Sequence, residues 1–273
     1  MEVQTAAIVV FSPTSTTRRI VDSIVQGAGL RVSSMVDLTS PTVRERAFYP
    51  LEGDLVVIGV PVHATGIPAL LLPCLRRLQG HNKPAVLVAV YGNMSPGVTL
   101  QELRTLAEAA SFRVVGAASF VGEHSFSMRE TPVAAGRPSQ GDLRTAEAFG
   151  QQIAAKLMAL DDLSSVHLYL PGSRGLLPLL KMSLPFNTSR VYAKTPALDR
   201  AYCTRCGLCT RLCPTGAIDR ITLRIQEKRC LRCCCCVKRC PRHARKMVFR
   251  FNLPVPRLLA FKGKTPREPE LYL

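Results

Sequence analysis

The residues of this chain with the plainest chemical purpose are cysteines at a fixed spacing. Cys203, Cys206, Cys209 and Cys213 precede Pro214, and Cys230, Cys233, Cys236 and Cys240 precede Pro241, so one C-x2-C-x2-C-x3-C-P run occurs twice. Three thiolates spaced by two residues can curl round one cubane iron–sulfur cluster, while the cysteine before the proline is carried away to serve the other cluster. This reading assigns Cys203, Cys206, Cys209 and Cys240 to a first [4Fe-4S] cluster, and Cys230, Cys233, Cys236 and Cys213 to a second. Ala217 and Ala244 stand at equal distances beyond the two prolines, which suits a duplicated unit with a small residue packed near each cluster. Zinc, held as a rule by separated pairs of ligands, would leave the third x2 step and the C-P step unexplained in both copies. Disulfides are rare in reducing compartments. Cys234 and Cys235 are surplus to the pattern; inert neighbours are expected, the alternatives being a spare ligand that lets a damaged cluster rearrange or thiols exposed to oxidation. Of the eleven cysteines, only Cys74 lies outside 203–240, in an apolar helical run where a buried structural thiol is expected.

These thiols need a scaffold, and so does a second candidate site near the N-terminus. Ala6 to Ser12 is a short apolar run suited to a strand buried on both faces. Ser12-Pro13-Thr14-Ser15-Thr16-Thr17 then feeds a helix from about 15 to 27, with Ile20, Val21, Ile24 and Val25 on one face. A strand running into a hydroxyl-rich turn at a helix N-terminus suits an anion, because backbone N–H groups converge where the helix dipole favours phosphate. Strand patterns at about 31–37, 54–61, 84–91 and 113–120 alternate with helical patterns at about 68–79, 98–111 and 141–160. Such alternation predicts an α/β fold with a doubly wound parallel sheet of five strands in the order 2-1-3-4-5, its ligand at the carboxyl ends of strands 1, 3 and 4. Those ends carry Gly59 to Pro68, Tyr91-Gly92-Asn93-Met94 and Gly122 to Phe126. Their glycines and prolines let backbone approach a flat ring, and His63 and Tyr91 could cover its faces. The Gly136-Arg-Pro138 loop before Asp142 reads as a rigid turn with a helix cap.

At this point the N-terminal half resembles flavodoxin-type FMN domains, and the whole chain resembles the EFR-type family of flavodoxin-like and ferredoxin fusions. The matching pieces are Phe11 to Thr17, Pro61 to Gly66, Val90 to Asn93, Glu123 to Ser127, Ala134 to Pro138 and the two cysteine runs. The resemblance implies FMN and two [4Fe-4S] clusters in a soluble electron-transfer protein. It places Ser12, Thr14, Ser15, Thr16 and Thr17 at the phosphate, and Pro61, Val62, His63, Ala64, Gly66, Tyr91, Gly92 and Asn93 about the ring. The sequence departs from the family's pattern at Ser15, where glycine is usual, and at His63, where an aromatic residue is common. The division expected is a flavodoxin-like domain over 1–160, a linker over 161–193, and a small α+β two-cluster ferredoxin domain over 194–250 with repeats at about 194–223 and 224–250. A tail over 251–273 is too rich in proline for a helix; it is expected to lie extended over the first domain or to stay mobile.

The net charge is +17, and residues 190–273 supply +15 of it, from 20 Lys and Arg against 5 Asp and Glu. Part of that excess offsets thiolate-bound clusters, and the rest would steer an acidic redox protein or reductase. Nucleic acid is not expected, since there is no Trp, stacking aromatics are sparse and no recognisable reading helix is present. No apolar stretch approaches the roughly 20 residues that span a bilayer, and the N-terminus lacks signal-peptide features, so a cytoplasmic location is expected. The leading expectation is an electron conduit. Two competitors are a flavin-dependent reductase of a small substrate fed by the clusters, with His63, Tyr91 or His124 near the ring, and a flavin-free docking domain carrying a ferredoxin. No acid–base pair or nucleophile motif compels an enzyme.

Overall fold

The structure, a computed structural model, describes residues 2–171, 189–250 and 254–273. Five strands run parallel in the order β2-β1-β3-β4-β5: β1 (Thr5–Val10), β2 (Arg31–Asp37), β3 (Leu55–Pro61), β4 (Pro84–Tyr91) and β5 (Arg113–Val121). The inner strands read as unbroken apolar runs because both faces are covered; every residue of β4 is buried. The outer strand β2 is largely open and accordingly carries Arg31, Ser33 and Ser34.

Five helices follow the strands: α1 (Thr16–Gly27), α2 (Pro41–Arg44), α3 (Leu72–Leu75), α4 (Thr99–Ala109) and α5 (Gln140–Ala159). On one face α1 and α5 press Ile20, Val21, Ile24, Phe149 and Ile153 onto the sheet. Their backbones touch: a Cβ on Gly150 would lie 2.0 Å from the Ile24 carbonyl oxygen, so glycine is what permits the crossing. Helix α5 opens with a reciprocal cap between Ser139 and Asp142, and Arg137 pairs with Asp142. On the other face Tyr49, Leu71, Leu75, Leu100 and Leu103 close a second core.

Two expectations are corrected. The sheet has six strands, because β8 (Glu270–Tyr272) adds antiparallel to β5, pairing Ala117 with Tyr272 and Ser119 with Glu270. The tail is not wholly extended either: α9 (Val255–Lys262) is a helix despite the prolines. Pro254 and Pro256 fall at its N-cap and first turn, where a missing N–H costs nothing. Of the expected linker, residues 172–188 lie outside the described residues, and with them most of the apolar, proline-broken stretch.

The C-terminal unit is built from α6 (Ser189–Tyr192), β6 (Ala197–Leu198), α7 (Leu208–Arg211), α8 (Cys235–Lys238) and β7 (Arg245–Lys246), with β6 and β7 antiparallel. Its backbone repeats as its sequence does. Arg205 and Arg232 have φ of 55° and 56°, Gly207 and Cys234 72° and 57°, and Gly216 and His243 57° and 50°. Among the described residues no helix is long and apolar enough to cross a membrane.

Candidate metal centres and an adjoining cavity

The short helices α7 and α8 each begin one residue after a left-handed residue. That reversal turns the preceding loop back so that three cysteines of a run face inward. Cys203, Cys206, Cys209 and Cys240 line one void, and Cys213, Cys230, Cys233 and Cys236 line another together with Cys234 and Cys235. Among the described residues no three His, Cys, Asp or Glu side chains are grouped as a single-ion site; the thiols border the two voids instead.

Ala217 and Ala244 are buried beside the rings, and each donates its backbone N–H to the sulfur four residues earlier, Cys213 and Cys240, at 3.3 Å. Burial pushes the Cys230, Cys233 and Cys236 thiols up. Thiolates in so dry a place are stabilised by a metal that takes their charge, so the donor set fits a cluster. Cys234 and Cys235 are buried too, their thiols raised by burial to about 12 and about 11. Their sulfurs rest on the carbonyls of Arg232 and Leu212 at 3.6 Å, away from thiolate chemistry. Cys74 is buried in the sheet domain's core, as its apolar setting suggests.

A third cavity, of about 250 Å³, opens at the carboxyl ends of β1, β3, β4 and β5. Thr14, Thr16 and Thr17 from the head of α1 line the cavity, as do Pro61, Val62, His63 and Ala64 after β3, Tyr91 and Gly92 at the end of β4, and Glu123 and His124 after β5. Ser12, Ser15, Gly66 and Asn93 are not in the wall. Ser12 accepts the Arg18 N–H at 3.1 Å and shapes the loop, while Ser15 takes a left-handed φ of 68° at the head of α1 without capping it. Gly66 hydrogen-bonds back to His63 across the β3 loop. Asn93 faces the tail: its amide donates to the carbonyls of Gly263 and Thr265 at 2.9 and 3.0 Å and accepts from the Arg267 N–H at 3.0 Å.

Two features of this cavity suit an anionic, ring-bearing ligand. The Thr17 hydroxyl is buried without a hydrogen-bond partner at the head of a helix with no acidic residue in its first turn. His63 and His124 are held neutral, their pKa lowered to about 4 by burial, with Lys238 opposing charge on His124 as well. Gly92 lets the His124 ring sit against the β4 loop, since a Cβ there would lie 2.4 Å from the His124 Cδ2. Burial also raises the Tyr91 hydroxyl.

Sequence reasoning missed several wall residues. Tyr192 of α6, Leu259 of α9 and Cys233 of the second thiol ring all line the cavity. The halves are joined there by Lys238 to Glu123 at 2.6 Å and by Phe126 packed edge-on against Tyr192 and Phe249. No periodicity marks these contacts. Glu123 and Phe126 sit in the β5 loop that the strand order points to, which is the one signal available.

The 4Fe-4S binding domain model matches residues 196–219, the stretch holding the first four cysteines. No curated protein matches the chain. Among solved structures the chain is similar to a flavodoxin from the domain Archaea, at 16% identity over 56% of this chain and 99% of that one, TM-score 0.39. It is similar also to the Streptococcus pneumonia TIGR4 flavodoxin, at 16% identity over 56% and 99%, TM-score 0.39. A third is the flavodiiron protein from Giardia intestinalis, at 16% identity over 57% and 36%, TM-score 0.39. The strand order is itself that of the flavodoxin-like fold. The chain is therefore an α/β protein with a flavodoxin-like, largely parallel sheet, followed by a small region that carries a 4Fe-4S binding domain.

Proposed function

We propose that this chain is an iron–sulfur flavoprotein of electron transfer, with FMN in the cavity, one [4Fe-4S] cluster in each thiol ring, and an external redox partner. The observation that carries the reading is Cys233, which belongs to the second thiol ring and also to the wall of the cavity. One residue thus touches both sites.

Bound there, FMN supplies exchange of one or two electrons where each cubane passes one. Thr14, Thr16 and Thr17 would hold its phosphate, the buried Thr17 hydroxyl gaining the partner it lacks. Pro61, Val62, His63, Ala64, Tyr91 and Gly92 would enclose its ring, while Ser12, Ser15, Gly66 and Asn93 keep the loops in shape. The neutral imidazoles of His63 and His124 add no charge at physiological pH. The first ring has the opposite setting: Cys206 is exposed, between Arg205 and Arg211, and Tyr202 and Ile221 stand open nearby. Arg205 donates to the Ile221 carbonyl at 2.8 Å and Arg211 to that of Cys206 at 3.1 Å. That face, part of a half carrying +15, suits an acidic redox protein drawn in by steering that salt screens. A reducing compartment such as the cytoplasm keeps so many thiols available to iron.

The test is anaerobic purification with iron, sulfide and flavin quantified together. About eight irons, the sum for two cubanes, with one FMN per chain is the expected result. Zinc, half that iron, or an apoprotein that takes up no FMN would overturn the proposal.

A further inference from the structure

Two buried arginines border the thiol rings, and they differ in what faces their charge. Arg232, beside the second ring, donates to the backbone carbonyls of Glu227 and Cys230 at 3.0 and 2.8 Å and to the Glu227 carboxylate at 2.8 Å. Arg245, beside the first ring, keeps 3% of its surface open. Its donors reach only carbonyl oxygens, Leu223 at 2.7 Å and Pro196 at 3.5 Å, and its Nε has no partner. Among the described residues no Asp or Glu forms an ion pair with it. A lone guanidinium sealed from water is strongly unfavourable unless a negative charge lies close by.

The surroundings identify where that charge must be. Arg245 follows Ala244, whose N–H is given to Cys240 of the first ring, and it is fixed in register on β7 opposite Leu198. One cation without a carboxylate partner is therefore set in the wall of the first ring of four sulfurs.

We infer that Arg245 is the counter-cation of the first iron–sulfur cluster and that its fixed charge holds that cluster's reduced state within reach. The inference rests on the cluster pair proposed above. Reduction adds one electron, and one negative charge, to a cluster; a fixed cation nearby favours that state and raises the potential. Arg232 shares the Glu227 carboxylate with Arg250, so its field is already partly cancelled.

The experiment is a potentiometric titration of the full-length protein, followed by electron paramagnetic resonance, on wild type, Arg245→Gln, Arg245→Lys and Arg232→Gln. Iron is counted in each sample first. The expected result is full iron in all four and, in Arg245→Gln, a downward shift of one cluster midpoint that exceeds any shift of the other. Arg245→Lys should stay near wild type, and Arg232→Gln should shift less than Arg245→Gln. Full iron with unmoved midpoints in Arg245→Gln would overturn the assignment while leaving the clusters in place. Should Arg245→Gln lose its iron, retention by Arg245→Lys supports the need for charge, and loss from both marks a need for shape that refutes it. Wild type without about eight irons would remove the cluster pair itself, and the inference with it.

Discussion

Replacing Asn93 should release the C-terminal tail without unfolding the domain beneath it. The side chain is 3% exposed and makes three hydrogen bonds, all to tail backbone at 263, 265 and 267. At about 0.5–1.5 kcal/mol net for each bond, their joint loss costs about 2–4 kcal/mol. The cost falls on the tail, because the sheet's two cores lie elsewhere. Asn93 has φ 60°, so an alanine variant would add backbone strain; Asn93→Gly removes the bonds and keeps that conformation accessible. If the tail opens locally, its amides should exchange with deuterium about 30- to 1,000-fold faster in Asn93→Gly, at about tenfold per 1.4 kcal/mol. The readout is exchange mass spectrometry over Lys264–Leu273, with α1 as internal reference. Because Leu259 lines the cavity, FMN should also be held more weakly by the variant. Unchanged exchange in the tail, or equal acceleration in α1, would refute the reasoning.

Three further outcomes are expected. Ser15 sits at φ 68° without capping α1, so Ser15→Gly should raise stability by about 0.5–1 kcal/mol in chemical denaturation; destabilisation would mean that the hydroxyl contributes more than the strain costs. His63 and His124 have a folded pKa of about 4 against an ordinary 6.5, so the unfolded chain binds more protons between those values. Their contribution is complete above about pH 6.5 and fades as the pH falls toward 4, by about 1–2 kcal/mol each once their partial opening to the cavity is discounted; urea midpoints should drop over that window and drop less in His124→Gln, and equal slopes would exclude the role. Cys234→Ala should keep about eight irons while Cys233→Ala does not, and equal loss from both would undo the ligand assignment.

What could be read in advance was whatever a short stretch states by itself. The run Ala6 to Val10 is apolar at every position because it is covered on both sides, and the spacing Cys203, Cys206, Cys209 needs only its own loop to bend inward. The tail was misread for the same reason. Pro254 and Pro256 argue against a helix only if they fall inside one, and whether they start it depends on where Leu259 and Gly263 find a surface. Asn93 looked like a ring-side residue because its loop is one; its partners are about 170 positions away, a distance that no local pattern reports. Arg245 was one basic residue among many, and nothing in its flanks tells that it is buried with carbonyl oxygens as its partners.

The junction between the halves is built from residues that lie in or next to the thiol runs. Beside the Tyr192 and Phe249 rings on Phe126, the C-terminal unit reaches the sheet domain through Cys233 in the cavity wall, Lys238 on Glu123, and the Pro214 carbonyl, which accepts from Arg44. Pro214 follows Cys213, and Cys213 lies in the second ring although it comes from the first run. Lys238 stands between Cys236 of the second ring and Cys240 of the first. Cys233 and Cys213 thus bring residues of both runs to the void that borders the cavity, while Cys206 of the other void is exposed.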